Sequence, residues 1–291
     1  MGWFSLFAFL IALGAGAFVG FRLYQRGLLT PVPRRTLHDM IRNIEPFTDI
    51  QIPAGKGPFP AVILLHGCGG IRPNMAVFAK LATELGVMAI VPDSNSFRGI
   101  GYEEALETVC TGAKLRASER AGDLHAALEI ARQHPLANAS QIVIAGWSHG
   151  GWTALEALAL DQAGMPPASL DHLPPNGLEG VKAIFAMYPY SGFPARSRRM
   201  PWRTDIPVES LLVRGDTICD DLESVEVFNR QIKWGADVKW RYVERATHAF
   251  DEPDHHPTSS LVYDPERAKI AHTAFQAFLK RYLDLRQDSA D

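Results

Sequence analysis

The strongest chemical signal in this chain of 291 residues is the run Gly146-Trp147-Ser148-His149-Gly150-Gly151. It follows the apolar stretch Gln141–Ala145 and precedes an Ala- and Leu-rich stretch, His149–Leu160. A G-x-S-x-G segment between a strand and a helix is the pattern of a nucleophile elbow. The serine must sit on a tight, strained turn, and glycines on either side remove the Cβ atoms that would collide there. A serine hydroxyl is a weak nucleophile and needs a base held by an acid. His248, in Arg245-Ala246-Thr247-His248-Ala249-Phe250-Asp251 directly after the apolar run Val238–Val243, stands where the base belongs. The acid should follow the run ending at Val213, where Gly215-Asp216-Thr217-Ile218-Cys219-Asp220-Asp221 offers three carboxylates. Asp220 is the first choice, with Asp216 and Asp221 as alternatives, because an Asp in such a loop also serves as a helix cap. The developing oxyanion needs backbone N–H groups. His149, the residue after the nucleophile, supplies one, and Cys68 in Leu65-His66-Gly67-Cys68-Gly69-Gly70 is the expected second donor.

These side chains need a scaffold, and the hydropathy pattern supplies one. Short apolar runs at Ala61–Leu65, Val87–Val91, Gln141–Ala145, Val181–Met187, Val208–Val213 and Val238–Val243 read as strands. Helical spacing appears over Asn74–Leu85, 118–133, His149–Leu160 and Pro265–Leu283. Alternation of this kind indicates βαβ units and a mostly parallel sheet flanked by helices, an α/β fold. The Pro- and Gly-rich stretch 164–177 and the basic stretch 194–203 read as surface excursions. Composition agrees: 47% hydrophobic and 21% charged residues are ordinary for a globular chain. With 29 basic against 32 acidic residues, the chain lacks the basic excess of a nucleic-acid-binding domain. Three cysteines are too few for a disulfide scaffold.

The N-terminus is the unusual part. Met1 to Phe21 has no charged side chain, and Arg22, Arg26, Arg34 and Arg35 follow. About 20 apolar residues match the hydrocarbon thickness of a bilayer. Residues 1–24 are therefore expected to be a transmembrane anchor or, given Ala15-Gly16-Ala17, a signal segment. A linker over 25–43 and a catalytic domain over 44–286 would follow. The arginines after the span favour a cytoplasmic domain; a signal peptide, or a disulfide between Cys68 and Cys110, would favour export. Cys219 would be the odd thiol.

Four segments in order, LLHGCGG (64–70), VPDSNSFRG (91–99), IVIAGWSHGG (142–151) and ATHAFD (246–251), make the chain from Pro46 to Leu283 resemble the dienelactone hydrolase family. The resemblance implies an α/β-hydrolase fold and a serine-type ester or lactone hydrolase with Ser148, Asp220 and His248 as triad. It departs from the name-giving enzymes twice. They use a Cys nucleophile where this chain has Ser148, and a Glu where it has Gly67. Their substrate is therefore not carried over. The elbow also looks like that of cutinases and polyester hydrolases.

Other residues carry weaker readings. Arg98 would bind a substrate carboxylate or, as the better reading, lock its loop through Asp93. Trp147 would line the acyl pocket or belong to the core. Arg196, Arg198, Arg199 and Arg203 would draw anions or lipid headgroups, or simply form a solvated basic loop. His66 at a strand end should bond backbone. Asp251, Asp254, His255 and His256 are of metal-ligand type, but adjacent histidines diverge and no metal site is expected. Acyl transfer through a serine needs no cofactor. A small ester or lactone is the expected partner. A serine peptidase or acyltransferase on the same fold, and a catalytically silent scaffold, are the alternatives.

Overall fold

The computed structural model describes residues 3–25 and 31–285, with side chains described over 7–21 and 31–285. A sheet of seven strands runs in the order β1 (Thr48–Gln51), β3 (Met88–Pro92), β2 (Phe59–Leu65), β4 (Ala137–Trp147), β5 (Val181–Met187), β6 (Val208–Val213), β7 (Val238–Val243). β1 pairs antiparallel with β3, and every other neighbouring pair is parallel. The central strands are apolar on both faces because helices cover both; every residue of β2 is buried. On one face lie α5 (Ala117–Gln133), α6 (His149–Gln162) and α7 (Asp221–Lys233); on the other lie α3 (Pro73–Thr83) and α8 (Pro265–Tyr282). α6 is buried over nearly its whole circumference, as a helix apolar all round must be. It rises directly from the end of β4, so it aims its N-terminus at whatever sits above the middle of the sheet.

One strand and two helices were not expected from the sequence, and another strand is longer than expected. β1 has one exposed residue, Asp49, among three partly buried ones and forms an edge. β4 begins at Ala137, four residues before the expected strand. A short helix α4 (Tyr102–Thr108) follows β3, and α2 (Leu37–Ile44) occupies the stretch read as linker. α2 carries only two apolar residues to the core, Met40 and Ile44, but both are fully buried against Ala126, Ile130 and Leu170. Full burial of such a side chain contributes roughly 1.5–3 kcal/mol, which ties this segment to the domain. Residues 26–30 of the expected linker lie outside the described residues.

Helix α1 covers Trp3–Gln25, and its described side chains are almost all exposed. Among the described residues no helix is long and apolar enough to cross a membrane. The transmembrane span expected over residues 1–24 is therefore not found among the described residues.

Candidate active site

The elbow forms as its residue types demand. Ser148 has φ 51° and ψ −110°, outside the helical and extended regions. Each glycine is required by contact rather than by its own φ. A Cβ on Gly146 would meet the Gly150 carbonyl oxygen at 2.4 Å. One on Gly150 would meet the Leu65 carbonyl oxygen at 2.0 Å, and one on Gly151 would meet Pro189 at 2.9 Å. The turn is thus wedged between β2, β4 and the segment after β5. Ser148 stands at the head of α6 with its hydroxyl directed to His248: Oγ and Nε2 are 2.9 Å apart.

His248 follows β7, as expected. The carboxylate on its other nitrogen is Asp216, not Asp220: Nδ1 lies 2.6 Å from Asp216 Oδ2. Asp216 is itself fixed. Its Oδ1 accepts from the amides of Ile218 (2.8 Å) and Cys219 (3.0 Å). The first choice, Asp220, is the N-cap of α7 and accepts from the Leu222 amide at 2.9 Å. Asp221 accepts from the Gly215 amide at 3.2 Å. An exposed Asp at an N-cap satisfies orphan helix amides, whereas the carboxylate that reaches the imidazole lies closer to the end of its strand. Asp216 is three residues past β6 and Asp220 seven.

Burial works against the His248 imidazolium, but the sulfur of Cys219 and the carboxylate of Asp216 outweigh it, so the His248 pKa is raised above the usual histidine value. Cys219 is a third contact that sequence reasoning did not find. Its buried thiol lies 3.8 Å from Ser148 Oγ and 4.0 Å from His248 Nε2.

A second buried carboxylate, Asp251, supports the floor. It accepts from Trp147 Nε1 at 2.9 Å, from Asn74 Nδ2 at 3.2 Å and from the Tyr188 hydroxyl. The Tyr188 ring lies 4.5 Å from the His248 ring, centroid to centroid. Burial and the Asp251 charge push the Tyr188 phenol well above its ordinary pKa, so it stays a donor. Trp147 therefore belongs to the core and at the same time lines the cavity above Ser148. Ser148, Tyr188 and Ala249 all hold positive φ (51°, 35° and 53°) without being glycine, and all three line that cavity. Strained backbone of this kind collects where a surrounding structure has been built to hold a site.

The expected oxyanion loop is braced from beneath. His66 Nδ1 bonds the Gly67 carbonyl at 2.6 Å, and its Nε2 accepts from the Ser94 amide at 3.1 Å. Arg120 on α5, fully buried, donates to the His66 carbonyl at 2.8 Å and to Ser94 Oγ at 2.9 Å. Its Nη1 also lies 3.2 Å from His149 Nδ1. Burial first, then the Arg120 charge, depresses the pKa of both His66 and His149 well below the ordinary value, so both rings are neutral. Burial likewise brings Arg120 down to about 10. Nothing in the sequence around Arg120 marks it; an Arg in an amphipathic helix reads as solvated. Cys68 and Cys110 form a disulfide that joins the oxyanion loop to the segment after α4.

Arg98, Arg198, Arg203 and Asp254 do not line the cavity above Ser148. Arg98 is a structural residue, but its partner is Asp123 on α5 (2.7 and 3.0 Å), not Asp93. Among the basic excursion, Arg203 pairs with Asp161 at 2.7 Å and Arg198 with Glu223 at 3.5 Å. Asp254 pairs with Arg72 at 2.6 Å, and Asp251 is engaged as described, so these carboxylates serve other partners. Arg72 also pairs with Glu252, which burial pushes up to about 7 against the pull of Arg72.

The sequence profile of the dienelactone hydrolase family matches residues 48–283. The chain belongs to the dienelactone hydrolase family. This family member shares its fold with a Klebsiella pneumoniae protein assigned as a dienelactone hydrolase. The two are 19% identical, over 81% of this chain and 92% of that one, with a TM-score of 0.62. It is also similar to a dienelactone hydrolase-like promiscuous phosphotriesterase from metagenomic libraries (20% identity, 81% and 92% covered, TM-score 0.56). A third similar structure is esterase 2 of Thermogutta terrifontis, phosphorylated by paraoxon (14% identity, 82% and 90% covered, TM-score 0.59). At these identities the likeness is one of fold. Among curated proteins, none is similar enough in sequence to count as a match. Family membership makes the chain a hydrolase of the α/β-hydrolase fold.

Proposed function

We propose that this family member is a serine-dependent hydrolase of carboxylic esters or lactones with Ser148, His248 and Asp216 as its triad. The observation that carries the reading is the unbroken chain of contacts Ser148–His248–Asp216, at 2.9 and 2.6 Å, opening on a cavity of about 290 Å³. His248 takes the proton as Ser148 Oγ bonds to the ester carbonyl carbon, and the carbonyl oxygen becomes an oxyanion. The amides of His149 and Cys68 are the donors suited to hold it. Collapse breaks the bond from the carbonyl carbon to the alcohol oxygen, and His248 returns its proton to that oxygen. Water, deprotonated by the same histidine, then releases the acid. In a lactone the acid and alcohol remain one molecule. Asp216 keeps the imidazole in the working tautomer and stabilises its charged form.

Two other features support this reading. Asp216 is held by backbone amides before any substrate arrives, so the imidazole is oriented at no cost during reaction. The similar Thermogutta esterase reacts with organophosphates, reagents that a serine nucleophile of this geometry is suited to attack. The Cys68–Cys110 bond favours a catalytic domain in an oxidising compartment. The test is labelling of the chain by a fluorophosphonate, together with hydrolysis of p-nitrophenyl acetate. Both are expected in the native chain and lost in Ser148→Ala; a folded native chain that neither labels nor hydrolyses would overturn the proposal.

A further inference from the structure

Ser148 lies at the junction of two cavities, not one. The larger, about 290 Å³, contains His248, Tyr102, Leu106 and His255 in its wall. The smaller, about 140 Å³, is walled by His149, Val109, Trp152, Tyr190 and Phe193. Ser148, Ile218 and the Cys68–Cys110 disulfide line both, so they form the partition.

The two halves of an ester part company at Ser148, and the residues in the walls say which half goes where. The alcohol oxygen must receive a proton from His248, and His248 lines the larger cavity but not the smaller. The acyl group stays on Ser148 beside the oxyanion donors, and His149 lines the smaller cavity but not the larger. Both walls mix aromatic, aliphatic and polar side chains. Among the polar groups of the larger is His255, whose buried Nε2 has no hydrogen-bond partner among the described residues. A buried polar atom of this kind is costly unless something bonds it.

Resting on the esterase reading, we propose that the small cavity is the acyl site and the large one the alcohol site. The preferred substrate is then an ester of a short or benzoyl-sized acid with a bulkier alcohol that bears a hydrogen-bonding atom for His255. The size limit follows from volume: an apolar cavity of about 150 Å³ holds one benzene molecule, and the acyl cavity is about 140 Å³. A long fatty acyl chain does not fit it without displacing Phe193, the half-exposed residue at its rim.

The experiment compares two ester series on the full-length chain by kcat/KM, with fluorophosphonate labelling of Ser148 run beside it. In the first series the alcohol is p-nitrophenol and the acid lengthens from acetyl to decanoyl. In the second the acid is acetyl and the alcohol grows from phenol to naphthol and hydroxynaphthol. Activity is expected to fall at least tenfold between butanoyl and octanoyl, and to hold within threefold from phenyl to naphthyl acetate. Phe193→Ala should raise the octanoyl-to-acetyl ratio of kcat/KM at least tenfold while the naphthyl-to-phenyl acetate ratio stays within threefold of native. Leu106→Trp should do the reverse, lowering the naphthyl-to-phenyl acetate ratio at least tenfold while keeping the acyl-length profile of the p-nitrophenyl series. His255→Leu should remove any advantage of hydroxynaphthyl over naphthyl acetate. A chain that labels at Ser148 but tolerates decanoyl while rejecting naphthyl acetate would overturn the assignment of the cavities and leave the esterase reading standing. A folded chain that does not label would overturn both.

Discussion

The turn around Ser148 and the loop around Asp216 meet on one imidazole, yet they are built on different terms. In the turn, three glycines face backbone or proline atoms closer than any Cβ tolerates. In the loop, Gly215 has φ +70° and nothing within 4 Å of where its Cβ would stand. The turn has one serine in one conformation. The loop has three aspartates sharing three tasks, of which one faces His248. The comparison teaches that a motif is specific where tertiary contact leaves no room. Where the chain runs in the open, residue type alone does not assign a role.

Substitutions at the two regions should therefore fail in different ways. Ser148→Ala should abolish turnover, lowering kcat by about 10⁴-fold or more, while circular dichroism and the melting temperature stay near those of the native chain. Residual activity within tenfold of native would place the nucleophile elsewhere.

Asp216→Asn should lower kcat/KM by roughly 10³–10⁴-fold, with Asp220→Asn and Asp221→Asn within a few-fold of native. Equal losses at Asp216 and Asp220 would dissolve the distinction drawn between them. The pH profile sharpens this prediction. His248 works as a base only when neutral, so kcat/KM falls as pH drops through its pKa. Because that pKa is raised, the acid limb should lie above the ordinary histidine value of about 6.5. The same raised pKa stabilises the folded chain below about pH 6.5, and this contribution is lost as pH rises through the folded value. Removing the Asp216 charge should move the residual limb to lower pH.

Reduction of Cys68–Cys110 should loosen the loop proposed to offer one oxyanion donor without removing the donor. A fall in kcat/KM between a few-fold and ~10²-fold is expected, since deleting such a donor costs about 10²–10³-fold. Unchanged turnover after mass spectrometry has shown both thiols free would mean the bond plays no part in holding the loop.

Two glycine exchanges test packing alone. Gly150→Ala forces a carbon against the Leu65 carbonyl oxygen and should cost at least ~3 kcal/mol, lowering the melting temperature by roughly 6–12 °C. Gly215→Ala meets no neighbour and should cost only the left-handed strain of about 1–2 kcal/mol. A reversal of the two would contradict the packing described. The smallest effect belongs to Asp220→Ala, the loss of a helix cap, at about 1 kcal/mol in denaturant unfolding.

Much of the site was legible because its signals are local. The elbow glycines, the strand before them and the helix after them all fall within about twenty residues, and a steric requirement on a turn is written in consecutive positions. His248 was legible for the same reason, as the polar residue just past a strand. Less legible were partners that are distant in sequence. Arg98 finds Asp123, Arg120 reaches beneath the oxyanion loop, and Asp251 collects Trp147, Tyr188 and Asn74. Each is a buried polar group with a partner that burial makes obligatory, and no local pattern names that partner. α2 escaped notice because eight residues with two buried apolar side chains give too faint a period.

The sequence by itself determined the α/β alternation, the tight turn at Ser148 and the place of His248 after a strand, because backbone periodicity and a close-packed turn constrain residues that are neighbours in the chain. Only the tertiary structure decided which carboxylate faces His248. Asp216 and Asp220 are chemically identical and four residues apart, and what separates them is distance to an imidazole supplied by a different strand. The tertiary structure also brought Cys219 to Ser148 and His248 and joined Cys68 to Cys110. It placed a small and a large cavity on either side of Ser148 as well. Shape of that kind arises where several loops converge, and no one loop carries it in its residues.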